Sequence, residues 1–245
     1  MLQIQVSKAV LNFALIVIDM QNGFISDRGS YGKLNMNIER YQKVVPIIKN
    51  LIRFCRQEEI PIFYTQAVRE SSGIDLLINA HNILPRSREE RLEKVPMCVR
   101  GTWDAAIINE IKPTHKDHVI IKRRDSAFMD TELRVWLQSV GINTLIFCGI
   151  DTSICVETSL RDGFNLGYDV MLISDATASR TKKHFDTTLE RVRDYYGVVT
   201  HLYEFKELMR MLKEISVGKV EYKGSPKRIS EFLEKHKLID VSKVK

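Results

Sequence analysis

Short, unbroken apolar runs alternate along this chain with longer segments in which apolar residues recur every three or four positions. The runs are Ala14–Ile18, Pro61–Thr65, His118–Ile121, Thr144–Cys148, Asp169–Ile173 and Val198–Leu202. Strands buried on both faces read as such continuous Val/Ile/Leu stretches, and their alternation with helical periodicity predicts βα units built around a parallel sheet. Between the first two runs, Ile38, Tyr41, Val44, Val45, Ile48, Leu51 and Ile52 keep helical spacing, which predicts a helix over about Asn37 to Gln57 packed on the sheet. Leu133, Trp136, Leu137 and Val140 predict a second helix stopped by Gly141, and a third is expected to begin near Cys155. The expected fold class is α/β, three-layer α/β/α, with a six-stranded, mainly parallel sheet.

The stretch Val68–Trp103 carries no strand pattern and is rich in Arg, Glu and Pro, so it reads as a long excursion over one end of the sheet, of the kind that often forms a lid or binding loop. Past Ser216 the βα rhythm stops, and Pro226 followed by Ile229, Phe232 and Leu233 predicts one more short helix. With no linker, repeat or low-complexity segment, residues 1–215 are expected to form one domain and 216–245 a basic, helical C-terminal extension. A chain of 245 residues can bury roughly 70–75% of its unfolded surface around one core.

Charge sharpens this division. From Lys206 to Lys245 there are 11 Lys/Arg against 6 Asp/Glu, so +5 of the net +6 lies in the tail. That tail lacks interleaved aromatics and Gly-rich motifs, so a solvated helix or subunit contact is expected rather than nucleic-acid binding. No apolar run approaches the roughly 20 residues that span a bilayer, and the first residues lack a signal-peptide pattern, so a cytoplasmic protein with no membrane partner is expected. Cys55, Cys98, Cys148 and Cys155 show no CxxC or framework spacing and are expected to be reduced thiols, Cys55 being a core residue that closes a helical apolar pattern.

In open α/β sheets ligands bind beyond the carboxyl ends of the strands, so reactive residues just past each apolar run are the candidates for chemistry. Asp19 follows the first run, Lys122 follows His118–Ile121, and Cys155 lies shortly after the run ending at Cys148. Taken singly, each has an ordinary role as a turn cap, a solvent-facing amine or a small hydrophobe. Together they supply a nucleophile, a cation that favours its thiolate and a carboxylate able to move a proton. A thiolate pKa lowered by Lys122 and by a helix N-terminus is expected for Cys155. None of the six histidines falls in a Cys-His pattern, and His81 lies in the excursion as a candidate substrate contact.

Three segments then resemble the signatures of the isochorismatase-like cysteine hydrolases: Ile18-Asp19-Met20-Gln21-Asn22-Gly23-Phe24, Lys122-Arg123-Arg124-Asp125-Ser126-Ala127-Phe128, and Gly149-Ile150-Asp151-Thr152-Ser153-Ile154-Cys155-Val156-Glu157-Thr158. Arg161-Asp162-Gly163 and Asp175-Ala176-Thr177-Ala178 extend the likeness, which runs from about Ala14 to Phe205. The resemblance implies a catalytic set of Asp19 as general acid/base, Lys122 as the group stabilising the thiolate, and Cys155 as nucleophile. It also implies a cis peptide at Ile150–Asp151 and an oxyanion hole formed by the main-chain N–H groups of Asp151 and Cys155.

Cys155 itself argues against ether-cleaving members, which lack the nucleophile. Nicotinamidases of the family carry an Asp-x-His metal site after the second strand, whereas this chain reads Thr65-Gln66-Ala67-Val68-Arg69, so no metal and no cofactor are expected. Arg100-Gly101-Thr102-Trp103-Asp104 is similar to the branch that hydrolyses N-carbamoylsarcosine, biuret and ureidoacrylate. The resemblance thus implies a small amide or ureide substrate, hydrolysed through a covalent intermediate, and a homo-oligomer, dimer or tetramer. Expected substrate contacts are Phe24 and Phe128 as apolar walls, Arg100 on a substrate carboxylate, and Thr152. Asp125 stands where many relatives have an aromatic residue, which alters pocket shape or charge beside Lys122. The alternatives are an amidase for another small amide, such as a nicotinamide analogue, and a catalytically idle binding or assembly module. A Cys148–Cys155 redox pair is disfavoured by the strand-to-helix turn between them.

Overall fold

A computed structural model describes residues 3–6, 9–76, 83 and 97–216. His81 and the expected extension beyond Ser216 lie outside the described residues, as does most of the Val68–Trp103 excursion. In chain order the elements are β1 (Gln3–Val6), β2 (Ala9–Ile18), α1 (Asn22–Ile25), α2 (Ser30–Lys33), α3 (Glu39–Gln57), β3 (Ile62–Ala67), β4 (His118–Lys122), α4 (Leu133–Ser139), β5 (Thr144–Ile150), α5 (Glu157–Asn165), β6 (Asp169–Ala178), α6 (Lys182–Tyr195), β7 (Val198–Thr200) and α7 (Leu202–Ser216).

The six apolar runs become six parallel strands in the order β4-β3-β2-β5-β6-β7. The strand β1, which the apolar runs did not signal, is only four residues long and pairs antiparallel with the first part of β2, Gln3 facing Asn12. Side-chain alternation along β2 serves both faces of the sheet. Phe13, Leu15 and Val17 join one buried cluster with residues of α3 and α7, while Ala14, Ile16 and Ile18 join the other with residues of α4 and α5. Each buried Leu or Ile in these layers contributes about 1.5–3 kcal/mol through apolar area removed from water.

Helix α3 buries Tyr41, Val44, Ile48, Leu51, Ile52 and Cys55, the stripe its periodicity predicts. Gly141 ends α4 as expected. At φ 68° it donates its N–H to the Gln138 carbonyl while Ile142 donates to Leu137, a closure that needs the left-handed conformation glycine adopts without penalty. The last apolar run is shorter as a strand than expected, because Leu202 starts α7 and buries itself with Phe205, Leu208, Met209 and Leu212 in the α3 layer. Among the described residues no helix is long and apolar enough to cross a membrane.

The chain leaves β2 toward β3 and β4 on one side, then returns through β5 toward β6 and β7 on the other. The strand order therefore reverses between β2 and β5, and a crevice is expected beyond their carboxyl ends.

Candidate active site

Asp19 leaves β2 at φ 50°, a left-handed conformation uncommon outside glycine. Thr65 of β3 holds it there: the Thr65 hydroxyl accepts the Asp19 main-chain N–H at 3.1 Å and donates to Asp19 Oδ1 at 2.6 Å. The other carboxylate oxygen, Oδ2, lies 2.7 Å from Nζ of Lys122, the last residue of β4. Lys122 also donates to the carbonyls of Arg124 at 3.0 Å and Asp125 at 3.1 Å, so all three ammonium protons have acceptors. The two side chains are 1% and 3% exposed, a depth at which charges persist only when paired. Burial alone would push the Lys122 amine down, but the charge and hydrogen bond of Asp19 oppose it and hold the ammonium above the ordinary lysine value.

Strand β5 approaches β2 closely before the nucleophile segment. A Cβ on Gly149, at φ 105°, would stand 2.2 Å from the Ile18 carbonyl oxygen, so only glycine fits beside the residue that precedes Asp19. The Ile150–Asp151 peptide bond is cis. The chain then makes one wide π-type turn over Thr152–Val156 before α5 begins, and Cys155 sits inside that turn rather than at the start of the α-helix. Such single π turns recur at functional sites. The turn is anchored at both ends. At its start the Asp151 carboxylate accepts from Ser153 N (2.8 Å), Ser153 Oγ (2.7 Å), Ser179 Oγ (3.0 Å), Arg180 N (3.0 Å) and the Tyr41 hydroxyl (2.6 Å). At its end buried Glu157 is clamped by Arg191, Thr188 and Arg161.

The protonation state of Cys155 departs from expectation. Burial pushes its thiol above the ordinary range; Lys122 opposes this, but Asp19 and Asp125 add to it. The positive charge expected to favour the thiolate is already committed to the Asp19 carboxylate, so the resting group is a thiol facing a carboxylate.

Asp19, Lys122 and Cys155 line one cavity of about 110 Å³, together with Phe24, Tyr31, Tyr41, Ala67, Arg69, Met97, Arg124, Asp125, Ile150, Asp151 and Ile154. Of the expected contacts, Phe24 is brought to the cavity, its ring edge-on to Tyr31 at 4.9 Å. Three others are not. Phe128 stacks on Tyr168 at 6.1 Å and is not among the residues lining the cavity. Thr152 is fully buried, its hydroxyl hydrogen-bonded to Thr177 at 2.8 Å, and Thr177 in turn donates to the Gly149 carbonyl. Arg100 is half-exposed and closes its fork on Glu70, with Nη2–Oε1 2.7 Å and Nε–Oε1 3.1 Å. A carboxylate only thirty residues away in sequence competes with any substrate for that guanidinium.

Thr65, Arg69, Tyr31, Tyr41 and Arg124 were not expected as site residues, Tyr41 having been read only as part of the apolar stripe of α3. The rule that located Asp19 would have found Arg69, which stands two residues past β3. Thr65 had a signal as well, being a polar residue inside an apolar strand. The four cysteines are free thiols. Among the described residues no three His, Cys, Asp or Glu side chains gather as a metal site.

Comparison with known proteins bears on this constellation. Residues 13–204 match the isochorismatase domain. The ureidoacrylate amidohydrolase RutB of Serratia proteamaculans is 33% identical over 201 residues, covering 78% of this chain and 80% of that protein. An isochorismatase family protein from Desulfovibrio vulgaris superposes with TM-score 0.69 at 27% identity, covering 82% of this chain and 99% of the other. The N-carbamoylsarcosine amidase of Thermoplasma acidophilum shares the fold, with TM-score 0.62 at 24% identity over 78% of this chain and 96% of its own.

Proposed function

The chain belongs to the isochorismatase family, with named amidohydrolases among its relatives, and on that premise we propose that it is a cysteine-dependent amidohydrolase. It cleaves the C–N bond of a small amide, carbamoyl or ureido compound and releases ammonia through a covalent acyl-sulfur intermediate. The observation that carries this reading is the buried Asp19–Lys122 pair, 2.7 Å apart, lining the same cavity as Cys155.

Each group has a step. As substrate enters and displaces water, Asp19 takes the Cys155 proton and the sulfur attacks the carbonyl carbon, while Lys122 stabilises the anionic sulfur during the transfer. Negative charge moves to the carbonyl oxygen, which the main-chain N–H groups of Asp151 and Cys155 receive. Such an oxyanion hole lowers the barrier by roughly 3 kcal/mol. Asp19, now protonated, gives its proton to the departing nitrogen, and ammonia leaves. The same carboxylate then takes a proton from water, whose oxygen attacks the acyl-sulfur carbon. The acid is released, and Asp19 returns the proton to the sulfur.

The test is ammonia release from a panel of ureido acids, carbamoyl amino acids, biuret and nicotinamide by the wild type and Cys155→Ala. The variant is expected to lose at least about a thousandfold in kcat, as when a nucleophile is removed. Turnover within about tenfold of wild type would sink the covalent mechanism. No ammonia from any compound would favour the idle binding module.

A further inference from the structure

Asp151 enters the proposed chemistry through its main-chain N–H, yet its carboxylate gathers donors from three separate segments. Tyr41 of α3 donates to Oδ2 at 2.6 Å, and Ser153 of the nucleophile turn donates to Oδ1 from N at 2.8 Å and from Oγ at 2.7 Å. The stretch after β6 adds Ser179 Oγ to Oδ1 and Arg180 N to Oδ2, both at 3.0 Å. All five donors are hydroxyls or main-chain amides, so they satisfy an acceptor rather than form an ion pair. Capping the turn needs only the Ser153 N–H. The bonds from Tyr41, Ser179 and Arg180 brace the carboxylate from outside the turn.

The backbone of the same residue completes the pattern. The Asp151 carbonyl accepts the N–H of Ile154 and that of Val156, both at 3.1 Å. Carbonyl and carboxylate thus take the N–H groups of Ser153, Ile154 and Val156, and among the described residues Asp151 does not take that of Cys155. The donor passed over is the one assigned to the oxyanion. Peptide units are planar, so fixing those on either side of Cys155 fixes the direction of its N–H, and holding the Asp151 side chain holds the start of the turn. An oxyanion hole works only with donors 2.7–3.1 Å from where the charged oxygen will sit, which makes that aim matter.

We infer that the Asp151 carboxylate, braced by Tyr41, is a positioning residue that aims the main-chain N–H groups of Asp151 and Cys155 at the oxygen of the carbonyl under attack. This rests on the cysteine-hydrolase reading. Burial and the Asp151 charge push the Tyr41 hydroxyl well above the ordinary tyrosine value, so it remains a donor throughout the neutral range. The charge of Asp151 by itself opposes a nearby oxyanion. Removing the charge and removing the aim therefore change the rate in opposite directions.

The experiment compares two reactions of Cys155 in the full chain, with Cys155→Ala as the background for both. In acylation by p-nitrophenyl acetate the sulfur bonds to the acetyl carbon, a tetrahedral oxyanion forms and p-nitrophenolate leaves. In alkylation by iodoacetamide the sulfur displaces iodide from a saturated carbon and no oxyanion arises. Asp151→Ala is expected to slow acylation about 10- to 100-fold, part of what one oxyanion donor contributes, and to leave alkylation within about twofold. Asp151→Asn, which removes the charge and keeps one acceptor oxygen, should slow acylation less. Tyr41→Phe keeps the ring and removes one brace, for a loss of about three- to tenfold, the worth of one hydrogen bond. If Asp151→Ala does not fold, Tyr41→Phe decides by the same ratio. Acylation unchanged or faster in these variants, or falling in step with alkylation, would overturn the positioning role and leave the hydrolase reading standing. A wild type alkylated at Cys155 but never acylated would bring down that reading, and the inference with it.

Discussion

Thr65 grips Asp19 at two points, its hydroxyl accepting the aspartate main-chain N–H at 3.1 Å and donating to Oδ1 at 2.6 Å. One side chain thereby sets both the left-handed backbone of Asp19 and the direction of its carboxylate. With Oδ1 occupied, Oδ2 is the oxygen turned to Lys122. Thr65→Val keeps the shape and removes both bonds. We expect it to lower kcat about 10- to 100-fold with little change in KM, since sub-ångström misplacement of a proton-transfer group is enough to do so. Thr65→Ser should restore most of the loss. Steady-state ammonia release reads both, and a Val variant with wild-type kcat would show that Asp19 needs no such hold.

The raised thiol of Cys155 has a readout in the free enzyme. A group whose pKa lies above the ordinary thiol value of 9.0 is protonated throughout the neutral range. Alkylation of Cys155 by iodoacetamide should therefore keep rising with pH up to about 9, without the plateau that a low-pKa thiolate gives. Cys155 should still be labelled before Cys55, Cys98 and Cys148, which are buried away from the cavity. Peptide mapping after timed labelling distinguishes the two, and a plateau below neutrality would refute the thiol resting state.

Glu157 ties the nucleophile turn to α6. Burial by itself would raise its carboxyl, but the bonds from Arg191, Thr188 and Arg161 outweigh that and hold its pKa below the usual 4.5. A depressed folded-state pKa contributes stability that is present above about pH 4.5 and is lost as pH falls through the lower folded value. Because both arginines are partly solvated, Glu157→Gln is expected to destabilise by about 1–3 kcal/mol, or roughly 2–4 °C in Tm per kcal/mol. The difference from wild type should narrow as pH drops below about 4. Thermal unfolding of both proteins across pH 3 to 8 tests this, and a constant gap would rule out the carboxylate as its source.

The expectation of a metal-independent enzyme rested on Thr65-Gln66-Ala67, a stretch with no Asp-x-His pair. Thr65 instead spends its hydroxyl on Asp19, and Gln66 donates to the Ala105 carbonyl at 2.9 Å. Ammonia release is expected to be unaltered by exhaustive treatment with EDTA. Activity lost on chelation and recovered with Zn²⁺ would contradict that expectation.

What the sequence by itself determined is what local pattern controls. Six apolar runs became six strands, helical spacing from Ile38 to Ile52 became α3, and Gly141 stopped α4. Asp19 and Lys122 were legible because each directly follows such a run, and Cys155 because it lies in the turn beyond one. The rest depended on partners supplied by distant elements. Arg100 looked suitable for a substrate carboxylate until Glu70 closed on it, whereas Arg69, which was not expected as a site residue, lines the cavity. Thr65 read as a strand residue, and its role required β3 to lie against β2 in one particular register. The state of the Cys155 thiol was beyond any local reading. It reflects a balance between burial and charges brought in on β2 and β4, and long-range electrostatics of that kind exists only once the parallel sheet has assembled.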